Sequence, residues 1–344
     1  MEKYTQYRDR STGISPFMPH KTPTSTTALA LHAVIFAFRL PLFLFYSAVY
    51  FLLLAHLPLP TFARKLLLWG MLGIPGIWWV DLQLDGVKRG SLSQQPPSRV
   101  PQPGSLIAAQ FTSPVDAIYL AAIFDPVFTV SYPGTTKVRQ ISLLSAIFLA
   151  LAPVQLHAPH TSAGHNPHKL VSLRRVVEQN RHRCVVVFPE CGTTNGKGIL
   201  PFSPSLLGAP GDAPIFPVSL RYTPQDITTP IPGAYFAFLW NLLSRPTHLI
   251  RVRIAESLTN RDIVSSSQSA NFSPVMNKHN DDDRASSDDD DYFGAGEEKP
   301  TPDQYRVLDR VGEALARLGR NKRVGLTLKD KASFIEAWSK GKRQ

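Results

Sequence analysis

Glu190 is the carboxylate whose setting is hardest to read as ordinary surface. It follows Cys184-Val185-Val186-Val187-Phe188 and Pro189, and it precedes Cys191-Gly192-Thr193-Thr194-Asn195-Gly196-Lys197. The apolar run predicts a buried strand, and a carboxylate at the end of such a strand is costly unless it has a partner. A strand end that feeds a polar, glycine-containing loop is where α/β proteins usually bind ligands. The backbone there can approach a phosphate, with Thr193, Thr194 and Lys197 as donors. The same Gly/Asn cluster also reads as a plain turn. Cys191 can be drawn as a site of covalent acylation, but a small residue tolerated in a turn is the simpler reading.

Asp116 is the second carboxylate of interest. Ser113-Pro114-Val115-Asp116 carries a helix-start signature, with Ser as N-cap, Pro in the first turn and an acid three residues on. Capping and chemistry are both open for Asp116. A histidine group, His157, His160, His165 and His168, resembles a metal pattern only loosely and lies in Pro/Gly-rich sequence, so a polar loop is the default. No metal site is expected. Lys169, Arg174, Arg175, Arg181 and Arg183 form a basic cluster before the 184–188 strand, suited to a solvated helix face near anionic lipid.

Placed together, these blocks resemble the glycerolipid acyltransferase family related to lysophosphatidic acid acyltransferases. That family carries Phe-Pro-Glu-Gly-Thr and, further on, a Leu-Pro-Phe-like step. Here stand Phe188-Pro189-Glu190, then Cys191-Gly192-Thr193, then Leu200-Pro201-Phe202 in the same register, and Pro214-Ile215-Phe216-Pro217-Val218 matches a second family block. The opening MEKYTQYRDRSTGISPFMP and the late RVGLTLKDKASFIEAW look like a fungal branch of the family associated with lipid droplets and vacuolar sorting. The resemblance implies acyl transfer from acyl-CoA to a lysophospholipid, giving phosphatidic acid from lysophosphatidic acid. It places Asp116 and Glu190 at the catalytic site, and Pro189, Gly192, Thr193, Thr194 and Lys197 at the substrate. It calls for no cofactor beyond acyl-CoA as co-substrate. One departure stands out. The family's His-x-x-x-x-Asp block reads Phe111-Thr112-Ser113-Pro114-Val115-Asp116 here, and phenylalanine cannot take a proton from an attacking hydroxyl. A catalytically impaired, lipid-binding relative acting in trafficking or droplet organisation is therefore the rival reading.

The elements that must position these residues follow from the patterning. The 344-residue chain is 43% hydrophobic and carries a formal charge of +11. Residues 281–298 contribute −8, leaving +19 elsewhere. A basic body beside long apolar runs suits anionic lipid surfaces. No zinc finger, basic zipper or aromatic-basic RNA motif favours nucleic acid. Only two cysteines, Cys184 and Cys191, are present, which fits a reducing compartment rather than a disulfide framework. Protein partners are not specified by the sequence.

Residues 40–57 and 66–80 are apolar and flanked by basic residues, with Pro58 and Pro60 between them. The second run covers only about 22 Å as a helix against roughly 30 Å of hydrocarbon. Two full spans would send Arg64 and Lys65 to the lumen, against the positive-inside tendency. A membrane-inserted hairpin keeps all basic groups cytosolic, at the endoplasmic reticulum or a lipid droplet. The predicted fold is α/β, a mostly parallel central sheet flanked by helices and preceded by that N-terminal helical hairpin. Strands are expected at 106–109, 127–130, 184–188, 215–222 and 251–256, with Pro217 at an edge or bulge. Helices are expected from Pro114, at 141–154 and over 170–180. The predicted organisation is a polar segment over 1–27, the hairpin over 28–82, the acyltransferase domain over 83–263, an acidic disordered linker over 264–302, and a basic helical segment over 303–344.

Overall fold

In the computed structural model, residues 2–20, 22–87, 96–158, 170–261 and 302–343 are described. The acidic stretch of the expected 264–302 linker, and His160, His165 and His168, lie outside them. The helices, in chain order, are α1 (Thr26–Leu52), α2 (Thr61–Gly73), α3 (Pro114–Phe124), α4 (Leu143–Leu149), α5 (Leu173–Gln179), α6 (Tyr235–Leu243), α7 (Pro302–Gly319) and α8 (Leu328–Arg343). The strands are β1 (Ile77–Leu84), β2 (Leu106–Ala109), β3 (Val127–Ser131), β4 (Lys137–Ile141), β5 (Val171–Ser172), β6 (Val185–Val187), β7 (Gly198–Ile199), β8 (Ile215–Thr223), β9 (His248–Ile254) and β10 (Lys322–Arg323).

An eight-stranded mixed sheet runs in the order β1-β9-β8-β2-β6-β3-β4-β5. Its centre, β8-β2-β6-β3, is parallel. β8 against β9, β3 against β4 and β4 against β5 are antiparallel. The parallel strands are buried on both faces, as their continuous apolar runs require. Ile107, Ala109 and Val186 face a core shared with Leu68, Met71 and Leu72 of α2 and with α3. Leu106, Ala108, Val185 and Val187 face the opposite core, closed by α5 and by Leu308, Val311, Leu315 and Leu318 of α7. The helical spacing of those α7 residues is what turns one apolar stripe onto the sheet.

Pro217 sits in a central strand, not at an edge. It pairs with Ala108 on the β2 side. On the β9 side the ladder begins at Val218 opposite Ile254, so the missing N–H falls where no β9 residue asks for it. The expected helix over 141–154 is shorter, because β4 claims Ile141 and Ser142 caps α4 with its side chain.

The membrane hairpin is corrected in its second arm. Residues 66–80 are not one helix: α2 ends at Gly73, and β1 begins at Ile77 and pairs in parallel with β9. Pro75 supplies no N–H, and Gly76 takes a left-handed φ of +86° with its α-carbon against the Pro246 carbonyl, where a Cβ would clash. The helix must stop there. The sheet therefore begins inside the stretch expected to be hairpin. The first arm is one long apolar helix. The most apolar 18-residue window of Thr26–His56 has a mean hydropathy of 2.0, and only 6% of that window is buried. α1 is pinned at one flank: Phe36 packs against Trp240 with ring centroids 4.9 Å apart and planes tilted by 51°, and Arg39 donates to the carbonyls of Pro75 (3.2 Å), Arg245 (2.5 Å) and Pro246 (3.0 Å).

The two ends of the chain meet. Phe17 packs with Leu328 and Phe334 of α8, Tyr4 and Tyr7 lie on Phe334, and Asp9 accepts from the Gly325 N–H at 3.1 Å. The polar composition of residues 1–27 conceals the buried Phe17 and the half-buried Tyr4 and Tyr7.

Candidate active site

The site lies at the carboxyl ends of the central parallel strands. β2 leads to Phe111 and the start of α3, β6 leads to Phe188 and the 189–197 loop, and β8 carries Tyr222 near its end. Asp116 is fully buried and caps α3 as the sequence pattern indicates. Its Oδ2 accepts from the backbone N–H groups of Thr112 (2.6 Å) and Ser113 (2.9 Å) and from the Thr112 hydroxyl (3.1 Å). Its Oδ1 accepts from the Tyr222 hydroxyl. Burial pushes the carboxyl up to about 6, opposed by the Tyr222 hydrogen bond and then by those from Thr112 and Ser113. Capping and a titratable buried acid thus coincide in one residue.

Phe111 is buried and stacks on Phe188, with ring centroids 4.3 Å apart and planes 23° from parallel. Its carbonyl accepts from the Thr194 N–H at 3.1 Å, so the β2 exit and the loop are tied through the backbone.

The loop turns sharply after Glu190. Cys191 has φ +55°, the left-handed region that favours glycine, which is the residue the family resemblance puts there. Burial pushes the Cys191 thiol up to about 12, so it carries no thiolate at neutral pH. Both cysteines are free. Glu190 is 1% exposed. Its Oε2 accepts from the Leu200 N–H at 3.1 Å, and its Oε1 has no partner among the described residues. Burial pushes Glu190 up to about 8; the Leu200 N–H and the Lys331 charge pull it down, and the Asp116 charge adds to the rise.

The other expected substrate residues divide. Thr193 is buried, and its hydroxyl donates to the Thr229 carbonyl at 2.6 Å. The Thr194 hydroxyl accepts from the Gly196 N–H at 3.3 Å. Gly192 lies against Leu328, and Lys197 is exposed at the outer turn. Pro189 accepts from the Ser203 N–H at 2.9 Å. The two threonine hydroxyls are thus already engaged within the protein. A cavity of about 390 Å³ is lined by His20, Asp226, Thr229, Phe238, Arg245 and Trp338, and Thr229 is the residue whose carbonyl Thr193 bonds. His157 is exposed, and among the described residues no group of three or more His, Cys, Asp or Glu is placed to hold a metal.

Sequence reasoning missed Lys331, Tyr222 and Asn195. Lys331 of α8 is 2% exposed, and its Nζ donates to the Thr193 carbonyl (2.6 Å) and hydroxyl (3.1 Å). Burial pulls it down to about 7, with Glu190 opposing. The signal was legible: Leu328, Lys331, Phe334, Ile335 and Trp338 share helical spacing, so Lys331 interrupts an apolar stripe. Asn195 donates from Nδ2 to the carbonyls of Ser15 and Met18, both at 2.8 Å, and its N–H bonds the Pro16 carbonyl at 2.8 Å.

The site is therefore that of an α/β domain with two buried carboxyl groups at the carboxyl ends of its central strands. No protein-family profile matches the chain. Over 355 aligned positions, 99% of each chain, it is 26% identical to a Schizosaccharomyces pombe protein named "Putative lysophosphatidic acid:oleoyl-CoA acyltransferase". It is also 28% identical over 211 positions, 59% of this chain and 61% of the other, to "Lysophosphatidic acid:oleoyl-CoA acyltransferase 1" of Saccharomyces cerevisiae. Both fungal relatives carry the name of an acyltransferase, in line with the family that the sequence blocks resemble.

Proposed function

We propose that this protein transfers a fatty acyl group from acyl-CoA to the free hydroxyl of lysophosphatidic acid, releasing CoA and phosphatidic acid. The observation that carries this reading is the end-to-end similarity to the S. pombe protein, 99% of each chain. The geometry is compatible with it. The acceptor hydroxyl oxygen forms a bond to the thioester carbonyl carbon, the carbon–sulfur bond breaks, and the hydroxyl proton leaves with the CoA sulfur. The thioester is already activated, so the reaction asks for positioning and proton movement rather than a metal. Glu190 is the carboxyl that keeps a buried oxygen without a hydrogen-bond partner among the described residues, whereas Asp116 is spent on Thr112, Ser113 and Tyr222. The working surface is membrane, with α1 embedded in the endoplasmic reticulum or a lipid droplet and the sheet domain facing the cytosol. Its many exposed apolar side chains favour that placement, among them Phe38, Phe45 and Leu52.

Purified protein incubated with lysophosphatidic acid and labelled oleoyl-CoA is expected to yield labelled phosphatidic acid. Glu190→Gln is expected to abolish the product while leaving membrane binding unchanged. A second reading is favoured by the Phe111–Phe188 stack, which fills the base position with apolar ring. It makes the protein a lipid-binding, non-catalytic relative. Absence of transfer to any lysophospholipid by wild-type protein would establish it over the first.

A further inference from the structure

The two stretches that most resemble a single fungal branch lie at opposite ends of the chain, and the structure brings both onto the Glu190 loop. Residues 15–18 offer three carbonyls to Asn195. α8 delivers Lys331 to Thr193 through two hydrogen bonds from one ammonium. Between them, Phe17, Leu200, Leu328 and Phe334 form a separate apolar cluster that Cys191 packs against. Tyr7 adds a hydrogen bond to the Ser333 carbonyl at 3.2 Å. The loop is therefore gripped on both sides by the terminal segments, in addition to its bonds to Phe111 and Thr229.

We infer that Lys331 is a positioning residue for the Glu190 loop, and that the paired terminal segments act as a clasp without which the buried carboxyl does not hold its place. A lysine buried in an apolar cluster is expensive, because its charge must leave water. A longer apolar side chain would fill the same space at lower cost. What lysine alone supplies is a donor to the Thr193 carbonyl and hydroxyl, and a positive charge close enough to Glu190 for each to oppose the other's shift. Gly192 makes the approach possible: a Cβ there would stand 2.8 Å from Leu328 and 3.6 Å from the Lys331 Nζ. The groups whose charge reaches Glu190 are Lys331 from α8 and Asp116 from α3, with Leu200 N–H as its hydrogen-bond donor. Removing Lys331 leaves Glu190 facing Asp116 and no cation.

The inference rests on reading this loop as the working site, and its test does not need activity. Full-length protein in detergent is titrated by infrared spectroscopy, with Glu190→Gln as the reference that identifies the Glu190 carboxyl band. In Lys331→Met the Glu190 carboxyl is expected to ionise at higher pH than in wild type. Amide exchange at 191–197 is expected to rise at least tenfold. Lys331→Arg is expected to keep much of the charge effect, and Lys340→Met, on the exposed side of the same helix, to change neither reading. An unchanged titration and unchanged exchange in Lys331→Met would overturn the inference. Wild-type protein supplies a second measurement that no misfolded variant can spoil. Under rising denaturant, the 191–197 amides and those of α8 are expected to open with one common free energy. Independent opening of the loop would overturn the clasp. Where labelled oleoyl-CoA gives wild-type turnover, Lys331→Met is expected to lower kcat with KM little changed. Absence of wild-type turnover would count against the proposed function alone, and the titration and exchange would still decide this one.

Discussion

Phe111 and Phe188 stack 4.3 Å apart at the mouths of two adjacent parallel strands, and Phe111 stands where the family resemblance places a histidine. The tyrosine hydroxyl of Tyr222 has taken the carboxylate oxygen that would otherwise orient such a ring.

Phe111→His alone is therefore expected to destabilise and not to activate. It loses a stacked pair worth about 0.5–1.5 kcal/mol. It also buries ring nitrogens short of partners, at about 1–3 kcal/mol. Combining it with Tyr222→Phe frees Asp116 Oδ1 for the imidazole. General-base catalysis is typically worth about 10²–10⁴-fold, and the double variant is where a gain is expected. Denaturant melts and acyl-transfer rates of the two singles and the double check this. A full gain in Phe111→His alone would show that Tyr222 does not block the carboxylate.

Glu190 also predicts a pH signature of stability. Its folded-state value of about 8 lies above the ordinary 4.5, so the protonated carboxyl favours the fold. That contribution is complete below about 4.5 and is lost as pH rises through 8. Asp116 acts in the same sense, its contribution complete below 3.8 and lost through about 6. Lys331 acts oppositely, with stability rising from about 7 toward 10.5. Glu190→Gln removes the first of these, so thermal melting should depend less on pH between 5 and 8 in the variant. The variant should gain on wild type toward pH 8. Parallel pH profiles for the two proteins would contradict the placement of an ionisable group in this buried site.

The apolar face of α1 predicts how the protein partitions. High salt is expected to leave it with the membrane pellet, and detergent to dissolve it. Tags at residue 1 and residue 344 are both expected to be accessible from the cytosol, because Tyr7 and Asp9 are bonded to the segment that holds Ser333 and Gly325. Release by salt, or protection of one end only, would refute this arrangement.

What was legible in advance was legible for physical reasons. The 106–109, 184–188 and 215–222 strands are buried on both faces, so they read as apolar runs bounded by polar turns. The start of α3 announced itself through Ser113, Pro114 and Asp116, whose side chains cap it as written. β1 was hidden because Ile77-Trp78-Trp79-Val80 continues the apolarity of α2, and hydrophobicity alone does not separate a strand from a helix. Only Pro75 and Gly76 mark the break. β4 was hidden for the opposite reason: of Lys137–Ile141, only Val138 is buried, which leaves almost no pattern. The burial of Lys331 was legible in its apolar stripe, but its partner Thr193 and the partners of Asn195 lie more than a hundred residues away, and no local pattern names them.

The attachment of α1 has one more consequence. Chain before it is bonded to Asn195, and chain after it, α2, is packed on α3 in the main core. The helix is thus a handle fixed at both ends to the same body. Were α1 to lie on lipid as proposed, moving from one surface to another would be a problem of adsorption, governed by how much apolar area leaves and re-enters water at about 25 cal/mol per Å². The folded body would travel with its handle, and nothing in the sheet or the Glu190 loop would have to come apart for the exchange to occur.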